Sequence, residues 1–170
     1  MSHSTKKLGA MFTAGAWVLG LLIVALGFSK ILDHQNNPNR SVSTVQTGNF
    51  SEVVLTRSRS GHYVFDGEIN HQKVTFLVDT GATTTAIPGQ LQQKLGLRAG
   101  PAMQVSTANG LTTAYLTRLD QLAIGDIELY DVNASLISAM EVDEILLGMN
   151  VLKHFELVQR GDQLIIRQYR

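Results

Sequence analysis

The sequence predicts a mainly β domain preceded by one apolar helix, and three observations carry that expectation. Short strand-like runs fill residues 50–170, pairs of Asn, Gly and Asp punctuate them, and a single charge-free stretch of 22 residues stands ahead of them. With 170 residues, 44% hydrophobic and 16% charged, the chain has room for one modest globular domain plus something short. Fourteen Lys and Arg balance fourteen Asp and Glu. A nucleic-acid binder needs a basic footprint to neutralise phosphates, so this balance argues against a nucleic-acid partner. There is no cysteine, which excludes disulfides, thiol nucleophiles and cysteine-ligated zinc. His3, His34, His62, His71 and His154 lack the spacing of a metal-binding pair, so neither a metal nor another cofactor is expected.

Taken in chain order, residues 1–7 are a short basic end expected to lie in the cytoplasm. Residues 8–30 hold LGAMFTAGAWVLGLLIVALGFS, long enough at ~1.5 Å per helical residue to cross a hydrocarbon core ~30 Å thick. A single membrane anchor is expected. A cleaved signal peptide competes, because Ala25-Leu26-Gly27 places small residues where a signal peptidase reads, but the apolar run exceeds the usual ~7–15 residues. The positive charges on the two sides, Lys6 and Lys7 against Lys30 and Arg40, nearly balance. Keeping the basic end inside then puts the rest of the chain on the periplasmic side of a bacterial inner membrane. Residues 31–49, with DHQNNPNRSVSTVQTGN, are polar and aperiodic and read as a flexible linker.

From residue 50 the runs are SEVVLTR, HYVFDGEI, KVTFLVD, AMQVST, LTTAYLTRL, QLAIG, IELYDVNASLI, FELVQR and QLIIRQY. Asn70-His71, Asn109-Gly110, Gly125-Asp126 and Gly161-Asp162 separate adjacent runs, and such residues tolerate the positive φ of tight hairpins. Two helical patches interrupt the strands. One starts at Pro88, suited to a first turn, and the other at Asn150, suited to capping.

Chemistry concentrates in TFLVDTGATTTAIP, where the apolar run Phe76-Leu77-Val78 ends on Asp79 and then turns through Gly81 among hydroxyl residues. A partly buried carboxylate needs hydrogen-bond partners, and Thr80, Gly81 and the neighbouring main chain can supply them. VDTGATTT resembles the active-site signature of aspartic proteases. EILLGMNVLKHF, whose Ile145 lies 66 residues after Asp79, resembles the second half of the retropepsin pattern, in which a strand ending at Leu146-Leu147-Gly148 enters a short helix. STANG between them looks like a flap hairpin. The resemblance spans roughly residues 50–169 and is closest to small bacterial retropepsin-like (clan AA) proteases with an amino-terminal membrane segment.

The resemblance implies a single-lobe acid-protease β-barrel that dimerises, with Asp79 catalytic and Thr80, Gly81 and Ala82 supporting it. Two carboxylates share one proton, one activating a water while the other polarises the scissile carbonyl, which favours acidic or mildly acidic conditions. This chain has one such motif, since Asp66 and Asp126 lack the Thr/Ser-Gly that follows. The second Asp79 must come from a second copy, giving a homodimer that cuts polypeptides. Thr80 would make a hydrogen bond across that dimer. Thr83, Ala108, Asn109 and Gly110 are candidates to contact substrate, although the last three fit an ordinary hairpin turn as well. Thr83 and Met149 depart from the viral pattern, where an acidic residue and an Arg often pair at these places; both are absent together, so no charge is orphaned. The run Gln163-Leu-Ile-Ile-Arg-Gln-Tyr is a candidate interface strand by likeness and an ordinary edge or core strand otherwise. A catalytically silent peptide-binding module and a membrane assembly module are the alternative functions.

Overall fold

The computed structural model describes residues 2–107 and 110–170. Two units are distinguished, residues 1–36 and the compact unit Asn37–Arg170. The first is a continuous helix α1, Ser2–Asn36. Over Gly15–Asn36 its mean hydropathy is 2.0, and large apolar side chains such as Trp17, Leu22 and Phe28 are exposed. The helix is long and apolar enough to cross a membrane, a property that signal sequences share.

The compact unit is built almost wholly of strands. They are β1 (Thr44–Thr47), β2 (Phe50–Thr56), β3 (Val64–Ile69), β4 (Gln72–Val78) and β5 (Thr85–Pro88). After a 3-10 turn at Gly89–Leu91 come β6 (Ala102–Thr107), β7 (Gly110–Ile124), β8 (Ile127–Ile137) and β9 (Ile145–Leu147). Helix α2 (Met149–Leu152) then leads to β10 (Glu156–Arg160) and β11 (Gln163–Tyr169). A seven-stranded sheet runs β3-β4-β9-β5-β8-β7-β6, and β3 also pairs with β7 through Glu68–Ala123 and Ile69–Leu122, curling the sheet toward a barrel. A four-stranded sheet runs β1-β2-β11-β10.

Alternation decides which face of each strand is buried. On β2 and β11, Val53 and Leu55 pair with Ile166 and Leu164 and all four are buried, whereas Val54 pairs with Ile165 on the outer face. Phe65 on β3 and Phe76 on β4 are register partners, fully buried, with stacked rings 5.3 Å apart. These join Ile87, Leu119, Leu122, Leu136, Ile145 and Leu147 in one core.

Several expectations are corrected. LTTAYLTRL and QLAIG form one uninterrupted strand, β7, long enough to serve β6, β8 and β3 in turn. Residues 37–49 are not a flexible linker: they belong to the compact unit, and residues 44–47 are β1. The side chain of Asn39, buried, donates to the carbonyls of Thr56 and Val64 (2.8 Å each) and accepts from the Thr56 amide (2.7 Å), so a polar residue is fixed by main-chain bonds. Asn37 reinforces it by donating to Asp66 at 2.6 Å, where Thr75 also donates at 3.0 Å. Pro88 ends β5 in extended geometry (φ −55°, ψ 132°) and does not open a helix; only one 3-10 turn follows. A proline with no N–H to give fits the last residue of a strand. Finally, β11 is an interior strand of its sheet and not an edge strand, because β2 and β10 occupy both its edges.

Candidate active site

Three short strands position Asp79. β9 lies between β4, to which it is parallel with Val78 beside Leu147, and β5, to which it is antiparallel with Ala86 beside Leu146. Apolar residues hold each strand in place, since Ile145 and Leu147 are buried and Leu146 packs on Ala86, Ala114 and Ile137. Where β4 ends, the Asp79 amide donates to the Leu147 carbonyl at 3.1 Å, carrying the pairing one residue past the strand. The chain then turns tightly, with the Ala82 amide on the Asp79 carbonyl at 3.2 Å and the Gly81 amide on Asp79 Oδ1 at 2.9 Å. A side chain at Gly81 would meet that carboxylate oxygen at 3.2 Å, so the absent Cβ leaves room for the carboxylate to fold back onto the Gly81 amide. Asp79 is half-buried, and its second carboxylate oxygen has no hydrogen bond among the described residues.

The strand-to-helix turn after β9 locks this loop from below. The Met149 amide donates to the Ala82 carbonyl at 2.7 Å and the Asn150 amide to the Thr83 carbonyl at 3.1 Å. Gly148 is packed so closely that a Cβ there would lie 2.6 Å from the Thr84 carbonyl carbon and 2.9 Å from the Ala82 carbonyl oxygen. Leu146, Leu147 and Gly148 therefore meet Asp79, Gly81 and Ala82 at one place. Main-chain bonds thus join the segments of Thr83 and Met149, the positions that carry no ion pair. Both side chains are exposed.

Asn150 is not the helix cap, a place held by Gly148, which makes no side-chain bond there. Its Oδ1 accepts from the Thr85 amide (2.8 Å) and the Thr85 hydroxyl (3.1 Å), and its Nδ2 donates to the Asn133 carbonyl at 2.7 Å. Thr85 is fully buried. One amide side chain thus ties β5, β8 and α2 together under the Asp79 loop. The sequence signal was an Asn two residues beyond the Leu-Leu-Gly turn and the last Thr of VDTGATTT; nothing local distinguishes it from a cap.

Thr80 is exposed, and no hydrogen bond among the described residues holds its hydroxyl. The hairpin of β6 and β7 closes at the register pair Thr107–Gly110, with Gly110 at φ +107°. Ala108 and Asn109, expected at its tip, lie outside the described residues. Four cavities of about 250 to 660 Å³ are lined by other parts of the unit, the 660 Å³ one by Arg98, Leu116, Arg118 and their neighbours, and Asp79 lines none of them. Asp66 is occupied structurally by Asn37 and Thr75.

Comparison with known proteins agrees with this arrangement. A solved structure of a retropepsin-like aspartic protease from Rickettsia conorii superposes with a TM-score of 0.61 at 26% identity, covering 74% of this chain and 98% of that one. An uncharacterized protein from the cobV 5′ region of Sinorhizobium sp is 32% identical over 136 residues, and an uncharacterized protein of Rickettsia prowazekii (strain Madrid E) is 26% identical over 166. The matches cover 76% and 93% of this chain but only 58% and 71% of the two relatives. The family model described as gag-polyprotein putative aspartyl protease matches residues 65–154, more than half of the chain and inclusive of both the Asp79 loop and the Gly148 turn. The chain belongs to that aspartyl protease family and has the retropepsin-like fold.

Proposed function

We propose that the protein is an aspartic endopeptidase whose working unit is a homodimer, with one Asp79 from each chain. The observation that carries this is the state of Asp79: it is half-buried, one carboxylate oxygen accepts from the Gly81 amide, and the other has no hydrogen bond among the described residues. A second copy across a two-fold axis would face it with the same group. One carboxylate then takes a proton from a water as that water's oxygen attacks the scissile carbonyl carbon. The other, protonated, gives its proton to the carbonyl oxygen. The tetrahedral diol collapses when the protonated carboxylate gives its proton to the amide nitrogen, the C–N bond breaks, and a diol hydroxyl returns a proton to the other carboxylate as the C=O bond re-forms, which leaves the pair sharing one proton again. No covalent enzyme intermediate forms. The open ladder of the β6–β7 hairpin suits an extended polypeptide.

In this reading residues 8–30 anchor the chain in an inner membrane and the compact unit works on the periplasmic side. Thr80 reaches across the dimer, and Thr83 and Gly110 border the substrate. The test uses the full chain in detergent micelles with a denatured protein substrate, from acidic to neutral pH, beside Asp79→Asn. Cleavage by the wild type alone, strongest on the acidic side, is expected. Equal cleavage by both chains, or by neither, removes the protease reading and leaves the peptide-binding module.

A further inference from the structure

The cavity of about 660 Å³ lies between residues 95–101 and strands β7 and β8, and its walls are held by hydrogen bonds at several points. Asn70, at φ +50° in the β3–β4 turn, donates through its side chain to the Leu95 carbonyl at 3.0 Å. The same side chain accepts from the Asp120 and Gln121 amides at 3.1 Å each. The Thr117 hydroxyl donates to the Arg98 carbonyl at 2.9 Å, and the Gly100 amide to the Leu116 carbonyl at 2.7 Å. A Cβ on Gly100 would lie 2.9 Å from that Leu116 oxygen, so the glycine is what lets the segment close on β7. The main chain of both walls is thereby fixed, and the side chains of Arg98 and Asp120 are left over.

Three charged side chains line the cavity, and one of them is already neutralised. Arg118 donates to Asp131 from Nε at 3.0 Å and pairs with it through Nη2 at 2.8 Å. Arg98 and Asp120 are both exposed, of opposite sign, and without an ion pair or side-chain hydrogen bond among the described residues. They do not pair with each other either. Two further lining groups are unengaged: the exposed Leu116 side chain and the side-chain amide of Asn133, whose main-chain carbonyl alone is taken, by Asn150.

This pattern selects by charge. A simple anion drawn to Arg98 also meets the uncompensated Asp120, and a simple cation meets the reverse. A molecule with a carboxylate at one end and an ammonium at the other satisfies both. The Arg98 guanidinium is a planar fork that matches a carboxylate bidentately, the Asp120 carboxylate accepts from an ammonium, and Asn133 offers a donor and an acceptor to a peptide group between them. A volume within the ~300–1,000 Å³ range of sites that bury drug-sized molecules suits a chain of a few residues better than a single amino acid.

We infer that this cavity binds short peptides with free ends, the carboxylate on Arg98 and the ammonium on Asp120. An internal stretch of a long polypeptide has neither end to offer. Peptide-bond hydrolysis, the activity proposed for Asp79, is the class of reaction that supplies such molecules, and the cavity is then a seat for products, apart from the Asp79 loop. Binding itself requires neither Asp79 nor a second copy.

Trialanine with free ends is the probe, added to the full chain in micelles and followed by the amide resonances of Gly96, Arg98, Gly100 and Leu116. Saturating shifts at these amides are expected. N-acetyl-trialanine and trialanine amide, each lacking one of the two charges, should bind at least about fivefold more weakly. Arg98→Gln and Asp120→Asn should each weaken free-ended trialanine by a similar factor, while Asp79→Asn binds it as the wild type does. Both altered side chains are exposed, and thermal melts confirm that the variants are folded.

No shift at these amides up to about 10 mM peptide overturns the inference. Equal binding of the acetylated or the amidated peptide does so too, on the wild-type chain and with no variant needed. So does binding that neither Arg98→Gln nor Asp120→Asn weakens, since the peptide then sits elsewhere. A chain that binds trialanine here and cleaves nothing keeps this inference and loses the protease reading; a chain that cleaves protein and leaves this cavity empty does the reverse.

Discussion

Strands β4 and β9 run side by side in the same direction and end level, Val78 beside Leu147, yet they deliver opposite things to the same point. β4 hands over a side chain, the Asp79 carboxylate. β9 hands over the lack of one, because Gly148 must let the Thr84 and Ala82 main chain approach to within 2.6–2.9 Å of where a Cβ would sit. The lesson is that an unengaged carboxylate needs a featureless neighbour. The Asp79 loop is held through main-chain bonds from the second strand–turn, which leaves the second carboxylate oxygen without a hydrogen bond among the described residues.

The contrast breaks most completely at Gly148. Gly148→Ala puts a methyl carbon against backbone that cannot step aside, and a loss of about 4 kcal/mol or more is expected, read as an early urea midpoint. Asp79→Asn should do the opposite, leaving the unfolding midpoint within about 1 kcal/mol while cleavage falls at least about 10³-fold. When wild-type and Asp79→Asn chains are mixed equally and allowed to exchange, about one quarter of random dimers hold two aspartates, so cleavage should fall to about one quarter. A fall to one half would mean that each chain works alone.

Asn150→Ala comes next. It strips the partner from the buried Thr85 hydroxyl and amide and from the Asn133 carbonyl, at an expected cost of about 2–3 kcal/mol in chemical unfolding. The smallest effect belongs to Thr80→Val. With an exposed hydroxyl that has no bond among the described residues, stability should move by no more than about 0.5 kcal/mol. Sedimentation would nonetheless register weaker self-association if that hydroxyl reaches a second copy.

Most strands were legible because alternation and turn residues agree: Asn70 and His71 both adopt positive φ between β3 and β4, and Gly125 and Gly161 do so in the β7–β8 and β10–β11 hairpins. The Asp79 loop and the Gly148 turn were legible as short patterns of fixed order. Elements whose partners are distant in sequence were not. β1 is short and polar, TVQT, and becomes a strand only because β2 offers an edge. Residues 37–39 look like a solvated tether until the carbonyls of Thr56 and Val64 arrive to bond Asn39. Asn150 has the composition of a cap and the position of a brace, and only Thr85, 65 residues away, tells the two apart. Likeness marked β11 as a candidate interface strand, with an edge or core strand as the alternatives; within the chain it is an interior strand with β2 and β10 on its two edges.

The placement of β11 also bears on the order in which the molecule can be made. β2 is among the first strands to be synthesised, but its inner partner arrives much later, and the Glu52–Arg167 bond spans 115 residues. Likewise the Asp79 loop waits for Leu147 and Met149 before its amides and carbonyls are satisfied. Long-range pairing of this kind is slow, since loop closure must precede the contacts that reward it. A nascent chain emerging residue by residue therefore carries its DTG loop unassembled until nearly the whole domain has been released. For the protease proposed above, cleavage is thereby postponed by topology alone to a time when synthesis of the domain is finished.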